Sequence, residues 1–273
     1  MGNDLVAELT EDRPPGGAPG VHAALGILEL LAAREALTLA EIGRDLGIAK
    51  STLHRITGVL IDRGWLVRDA GGRFELGIRA LGLGSQGGGL PIVIAFRGVA
   101  AWLMTRHDET VCLAVLDGDD TMYIAKEDSS QSVRLVTHVG SRTRAFASAS
   151  GRIHMARWRP EEVIAYWGGR PLVTPVGRRL NGIGELLAIL EQVRRDGHAE
   201  NTDETASGLW AGSVPVVNAA DVCLAALTVG VPTSRIWPER RDRILADLRA
   251  AGERLSADVA WLPAYNARAG AGR

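Results

Sequence analysis

The stretch from Thr38 to Arg63 limits the possible folds of this chain more than any other. Leu39, Ile42 and Leu46 recur at helical spacing, and Thr38 stands where a helix needs an N-cap. Gly47 then supplies the left-handed residue that ends such a helix. A second segment, Lys50 to about Arg63, places Leu53, Ile56, Val59 and Leu60 on one arc. Ser51, His54, Arg55, Gly58 and Asp62 fall on the opposite arc. Two short helices around a glycine turn make a helix-turn-helix. An amphipathic segment precedes them from Val21, with Val21, Leu25, Leu28 and Leu31 expected inward. After Gly64, Trp65-Leu66-Val67 and Arg73-Phe74-Glu75-Leu76 read as two strands around the turn Asp69-Ala70-Gly71-Gly72. The appended hairpin makes the motif winged.

This order of elements points to DNA. A recognition helix presents small, polar and basic side chains from its N-terminal half to base edges in the major groove. Lys50, Ser51, Thr52, His54 and Arg55 supply that set. Arg55 can pair bidentately with a guanine edge. Thr38 is expected to offer a hydroxyl to a phosphate, and Arg68 and Arg73 flank the wing turn, where a minor groove or a phosphate is in reach. Residues 21–85 carry eight basic and seven acidic side chains, so affinity must come from placement and dimerisation rather than bulk charge. The whole chain, at net charge −1, is no general coater of polyanions.

The remainder reads as a separate α+β unit. Residues 84–89, Gly-Ser-Gln-Gly-Gly-Gly, form a flexible joint. A helix is expected from Pro91 to Arg106. Strands follow at Thr110–Leu116, Thr121–Lys126 and Val133–Thr137. Helices are expected at Ser150–Trp158, Pro160–Trp167 and Gly182–Arg195. Two more strands, Gly208–Val217 and Val222–Val231, precede a last helix, Pro238–Val259, with Ile244, Leu248 and Leu255 inward. The expected division is a disordered arm over 1–20, a winged helix-turn-helix over 21–83, a linker over 84–92, an effector and oligomerisation domain over 93–263 and a disordered tail over 264–273. No apolar run reaches 18 residues, and residues 1–20 lack the apolar stretch of a secretory signal, so a cytoplasmic location is expected. Cys112 and Cys223 sit in apolar runs and read as buried, reduced thiols.

No catalytic set emerges. The six histidines have no metal-site spacing, and Ser148-Ala149-Ser150-Gly151 is not a nucleophile elbow. No cofactor or metal is expected. The rival reading, an enzyme acting on a small acid with an accessory winged helix, lacks a nucleophile or acid–base pair. What the second unit offers is the small-residue loop Arg144 to Gly151 opening a helix. It suits close approach of a ligand to the backbone, although, taken alone, the loop is better explained as a helix merely capped by Ser148 or Ser150.

These residues resemble the IclR family of bacterial transcription regulators. The resemblance rests on Leu39-Ala40-Glu41-Ile42, on Leu46 through Arg55 and on Phe74-Glu75-Leu76-Gly77. It continues through Glu109-Thr110-Val111, Tyr123-Ile124-Ala125, Val139-Gly140-Ser141-Arg142, Ala147 through Arg152, Gly197-His198-Ala199, Glu204, Gly208 and Pro215-Val216. It implies a winged-helix DNA-binding domain joined to a GAF-like effector domain. It also implies a homodimer or dimer of dimers on a pseudo-palindromic double-stranded operator, here expected as a repressor, and control by a small carboxylate or aromatic acid. The family's pocket positions fall on Leu135, Thr143, Ala149, Ser150, Asn201, Leu209, Ala211, Thr228 and Gly230. The chain departs from the family with Phe146 where histidine is common, and with Asn201 and Thr228 where acidic residues and serine also occur.

Overall fold

The computed structural model describes residues 18–263 except 35, 70, 78 and 81–89. Residues 1–17 of the expected arm, 84–89 of the expected linker and the expected tail therefore lie outside the described residues. The chain divides into two compact units, one ending at Leu90 and the other beginning at Pro91.

The first unit contains α1 (Pro19–Ala33), α2 (Leu39–Leu46), α3 (Lys50–Asp62), β1 (Leu66–Arg68) and β2 (Phe74–Leu76). Thr38 caps α2 in a reciprocal box with Glu41. Gly47 ends α2 at φ 63°, where any side chain would be strained, and its N–H bonds the Gly43 carbonyl. The wing strands pair antiparallel, Leu66 opposite Leu76 and Arg68 opposite Phe74. Leu37 and Phe74 exchange two backbone hydrogen bonds of 3.1 and 2.7 Å, which tie the α1–α2 connection to the wing.

The core of this unit is Ile27, Leu30, Leu31, Ile42, Leu46, Leu53, Ile56, Leu60, Leu66 and Phe74. Two expectations fail here. On α1, Val21 and Leu25 are 58% and 51% exposed, and the buried arc centres on Ile27, Leu30 and Leu31 instead. Apolar residues cover more than one arc of this helix, so its own periodicity cannot choose the inward face; packing against α2, α3 and β2 does. On α3, Val59 is 50% exposed and Thr57 is buried in its stead. The Thr57 hydroxyl donates to the Leu53 carbonyl at 2.8 Å, so its burial leaves no unmet polar group.

The second unit opens with α4 (Pro91–His107), so residues 91 and 92 of the expected linker are helical. Its sheet joins β3 (Thr110–Asp117), β4 (Asp120–Glu127), β5 (Arg142–Arg144), β6 (Ala199–Thr202), β7 (Leu209–Val217) and β8 (Cys223–Pro232) in the order β5-β4-β3-β8-β7-β6, every pairing antiparallel. Helices α5 (Ala149–Met155), α6 (Pro160–Trp167) and α7 (Ile183–Asp196) precede β6, and α8 (Pro238–Asp258) follows β8. The expected strand at Val133–Thr137 is absent, and Val133 and Val136 are 64% and 74% exposed. Its β-branched residues fit a strand, but no neighbouring strand pairs with it. The short strands β5 and β6 were not expected; neither is long enough to show a period.

The two sheet faces differ. Val111, Leu113, Val214, Leu227, Val229 and Val231 pack with α4 and α8 in one apolar core, and Ile244, Leu248 and Leu255 point inward as expected. Buried apolar side chains of this kind contribute about 1.5–3 kcal/mol each. At one corner Glu109, 1% exposed, accepts from Arg235 at 2.9 and 2.6 Å and from Arg240 at 2.8 Å, which locks the α4–β3 turn to α8. Cys112 is buried as expected, whereas Cys223, at the start of β8, is partly exposed.

Candidate nucleic-acid interface and ligand face

On α3, Leu53, Ile56 and Leu60 hold the helix to its unit, and that fixes what the other side displays. Lys50, Ser51, His54 and Arg55 are exposed and Thr52 is half-buried. Among the described residues none of the side chains of Lys50, His54 and Arg55 has a hydrogen-bond or ion-pair partner. Ser51, His54 and Arg55 follow the i, i+3, i+4 rule and so share one face. Gly58 lies further along that face with open space around it. Lys50 to Arg55 spans about 7.5 Å of helix axis, roughly two base-pair steps.

The flanking residues behave differently. The Thr38 hydroxyl donates to the Glu41 carboxylate at 2.8 Å, and that carboxylate also takes the Thr38 N–H at 2.7 Å. These bonds hold the Glu41 carboxyl below its ordinary pKa. Thr38 is thus engaged as the cap of α2, and a phosphate at this helix start would also meet the Glu41 carboxylate. Arg68 lies over the Phe74 ring at 5.4 Å, and Arg73 donates to the Ala36 carbonyl at 2.7 Å. Both remain exposed, Arg68 held against its own wing and Arg73 tied to the α1–α2 connection. Arg44, exposed on α2, escaped the sequence reading because it lies outside the recognition helix. Its signal was the i, i+4 pair of outward positions Ala40 and Arg44.

In the second unit, register places a row of small and polar side chains on the face of the sheet away from α4 and α8. Asn201, Ala211, Gly230 and Thr110 lie side by side across β6, β7, β8 and β3. One step along the same face come Ser213, Thr228 and Cys112. Leu209 shares this face on β7. Leu135 covers it from above: a Cβ built on Gly230 would lie 2.6 Å from its Cδ2, and Thr110 Oγ1 donates to its carbonyl at 3.3 Å. Leu135, Asn201, Leu209, Ala211, Thr228 and Gly230 are thus brought to one face.

Thr143 stands on β5, and Ala149 and Ser150 open α5, the helix packed across β7, β8, β6 and β3. Thr143 pairs with Thr121, whose β3 partner is Leu116, four residues or about 13 Å along the strand from Cys112. Thr121 Oγ1, Ser148 Oγ and Ser150 Oγ lie within 3.1–3.4 Å of one another, a closed hydroxyl cluster. Ser148, not Ser150, caps α5, accepting the Gly151 N–H at 3.0 Å. Ala149 packs into the apolar core between α5, α6 and α7. Gly151 has no room for a side chain, because a Cβ there would overlap the Ala145 carbonyl.

The electrostatics of the polar face are muted. Burial pushes the Cys112 thiol up to about 12 and raises the Tyr123 hydroxyl as well. Ser213 and Thr228 share a hydrogen bond of 2.9 Å. Lys126 is engaged by Asp128 and by the Thr137 carbonyl at 2.7 Å. Asn201 is 3% exposed; its Nδ2 donates to Thr205 at 3.3 Å and its Oδ1 has no partner among the described residues. Beside it, Arg152 and Glu204, with side chains 4% and 8% exposed, form a bidentate pair of 2.5 and 3.2 Å. Arg152 also donates to the Phe146 and Glu200 carbonyls, which pins α5 to β6. Cys112 was read from the sequence only as a buried thiol, and Tyr123 and Ser213 were not assigned to a site; for Cys112 the alternation of small or polar with apolar residues in β3 carried the signal. No group of three or more potential metal ligands occurs among the described residues, and none of their helices is long and apolar enough to cross a membrane.

Comparison with known proteins assigns both units. The model of the IclR helix-turn-helix domain matches residues 21–70, and that of the bacterial transcriptional regulator IclR C-terminal domain matches residues 88–257. The chain is 27% identical to the HTH-type transcriptional regulator KdgR of Escherichia coli (strain K12), over 94% of this chain and 98% of that one. It is 30% identical to the Pca regulon regulatory protein of Pseudomonas putida, over 80% and 76%. Among solved structures, an IclR transcriptional regulator from Alicyclobacillus acidocaldarius superposes with a TM-score of 0.79 at 25% identity, covering 89% of this chain and 99% of that chain.

Proposed function

The chain belongs to the IclR family of bacterial transcriptional regulators, helix-turn-helix proteins with an effector-binding C-terminal domain, and on that premise we propose how its residues divide the work. Helix α3 enters the major groove, with Lys50, Ser51, His54 and Arg55 on base edges and Thr52 beside them. Arg44, together with Arg68 and Arg73 of the wing, takes phosphates. The observation that carries this reading is a single rigid helix face whose basic side chains have no partner among the described residues. A twin subunit presents a second copy of that face, so that a dimer, or a dimer of dimers, reads a pseudo-palindromic operator as a repressor.

The polar face of the second unit holds the effector, a small carboxylate or aromatic acid. Thr228, Ser213 and Asn201 supply hydrogen bonds, Gly230 and Ala211 allow close approach, and Leu135 and Leu209 border it. Occupancy shifts the balance between subunit arrangements that do and do not fit the operator. Anisotropy titrations with duplexes from the promoter region of the chain's own gene test the first half. Binding stronger to an inverted repeat than to its scrambled version, and weakening with salt, is expected. Equal affinity for both duplexes would leave only non-specific binding and end the proposal.

A further inference from the structure

A half-open cavity of about 520 Å³ lies at the C-terminal end of α5, bounded by the start of α6, the end of α7 and Pro215 of β7. That size suits a small organic ligand. Its base is apolar, with Ile153, Val193 and Pro215, and Trp158 forms one wall. Edge-to-face packing against Tyr166, with centroids 5.4 Å apart, holds the Trp158 ring in place.

Arg157, Arg159 and Arg194 also line it, and no lining residue is acidic. Arg194 is fixed: it donates to the Ala156 and Trp158 carbonyls at 2.7 and 2.9 Å and to Glu191 at 2.9 Å. Arg157 bonds Asp221 through Nη1 alone, at 2.7 Å, and the Asp221 side chain is 76% exposed. Arg159 is 76% exposed, with Glu162 3.6 Å away. Such exposed pairs are weak and are readily exchanged for another anion. Guanidinium forks favour a carboxylate bound through two parallel hydrogen bonds, and an indole wall favours a flat apolar body.

We propose that this cavity is a second ligand site, distinct from the polar face, that takes a small aromatic carboxylate. The carboxylate lies between Arg157 and Arg159, and the ring lies on Ile153 and Pro215 beside Trp158. Helix α5 joins the two sites. Its first residues follow the Ser148 cap, and its last turn leads into this cavity. A ligand here therefore bears on the helix that covers part of the polar face, and by linkage an effector there alters affinity here.

The test is calorimetry on the full chain with benzoate as the probe and benzamide as its neutral counterpart. Wild type, Arg157→Gln/Arg159→Gln and Thr228→Val are compared, with Arg159→Gln alone as a milder variant. Benzoate binding weakened at least tenfold by the double substitution, in the same direction and less by the single one, is expected. Benzamide should bind at least tenfold more weakly than benzoate. Thr228→Val should leave a benzoate event that the arginine variants abolish. Benzoate binding unaffected by the arginine substitutions, equal binding of benzamide, or no benzoate event in wild type each overturns this site. Loss of the only benzoate event in Thr228→Val overturns it too, while supporting the effector role of the polar face.

Discussion

Arg55→Ala is the sharpest probe of the DNA reading, because the side chain is exposed and lacks a partner among the described residues. Its removal should leave the first unit's fold intact, with stability changed by less than about 0.5 kcal/mol. A bidentate contact to a base is worth about 1–3 kcal/mol of discrimination. A dimer carries two copies, and well-separated contacts add, so loss at both half-sites should cost about 2–6 kcal/mol. Even the lower end is a roughly thirtyfold rise in Kd for the operator. Binding to a scrambled duplex should change far less. Fluorescence anisotropy with both duplexes, at several salt concentrations, separates the alternatives. If the two duplexes weaken equally and the salt slope falls by about one per lost contact, Arg55 holds a phosphate and reads no base. If neither changes, the outward face of α3 is not what touches DNA, and the reasoning from exposure to recognition fails.

Three further outcomes concern the second unit. Burial holds His154 at a pKa of about 4, against 6.5 for the free side chain, while its Nε2 lies 3.3 Å from the Ala114 carbonyl. The unfolded chain binds this proton first, so stability is full above about pH 6.5 and falls by about 3 kcal/mol as pH drops towards 4. Denaturant titrations should show that slope in wild type and a shallower one in His154→Gln; parallel slopes would refute it. Glu204→Ala leaves the buried Arg152 guanidinium without its carboxylate and should cost about 3–5 kcal/mol, with Glu204→Gln milder; equal melting points of wild type and Glu204→Ala would disprove the clamp. Gly151→Ala drives a methyl into the Ala145 backbone and should abolish folding of the second unit; a soluble variant with wild-type circular dichroism would contradict that packing.

Much of the first unit could be read from local chemistry. Thr38, Gly47 and Gly64 act within a few residues of themselves, so the ends of α2 and α3 follow from sequence neighbours. The outward set on α3 was legible because Leu53, Ile56 and Leu60 leave only one face free. The inward face of α1 was not, because Val21, Leu25, Ile27, Leu28, Leu30 and Leu31 offer competing arcs and only α2, α3 and β2 decide among them. The same limit applied to Thr57 and Val59, where a local hydroxyl-to-carbonyl bond made the polar residue the buried one.

The ligand face shows the division most clearly. Strand periodicity in β3, β7 and β8 told which residues share a side, since successive side chains alternate whatever the partner strand. Which sides meet depended on pairings far apart in the chain, such as Thr110 with Gly230 and Asn201 with Ala211. Those pairings gathered Asn201, Leu209, Ala211, Thr228 and Gly230 on one side, while Thr143 stands on β5 and Ala149 and Ser150 open the helix packed across the sheet. Sequence therefore determined the longer elements, the cap and stop of α2 and the outward base-facing set of α3, because these obey forces acting within one turn or one strand; it did not foretell β5 and β6 or rule out a strand at Val133–Thr137. Tertiary structure alone decided which faces became core, where Leu135 came to rest and that a cavity opens behind α5, because burial is shared between segments and no segment carries it by itself.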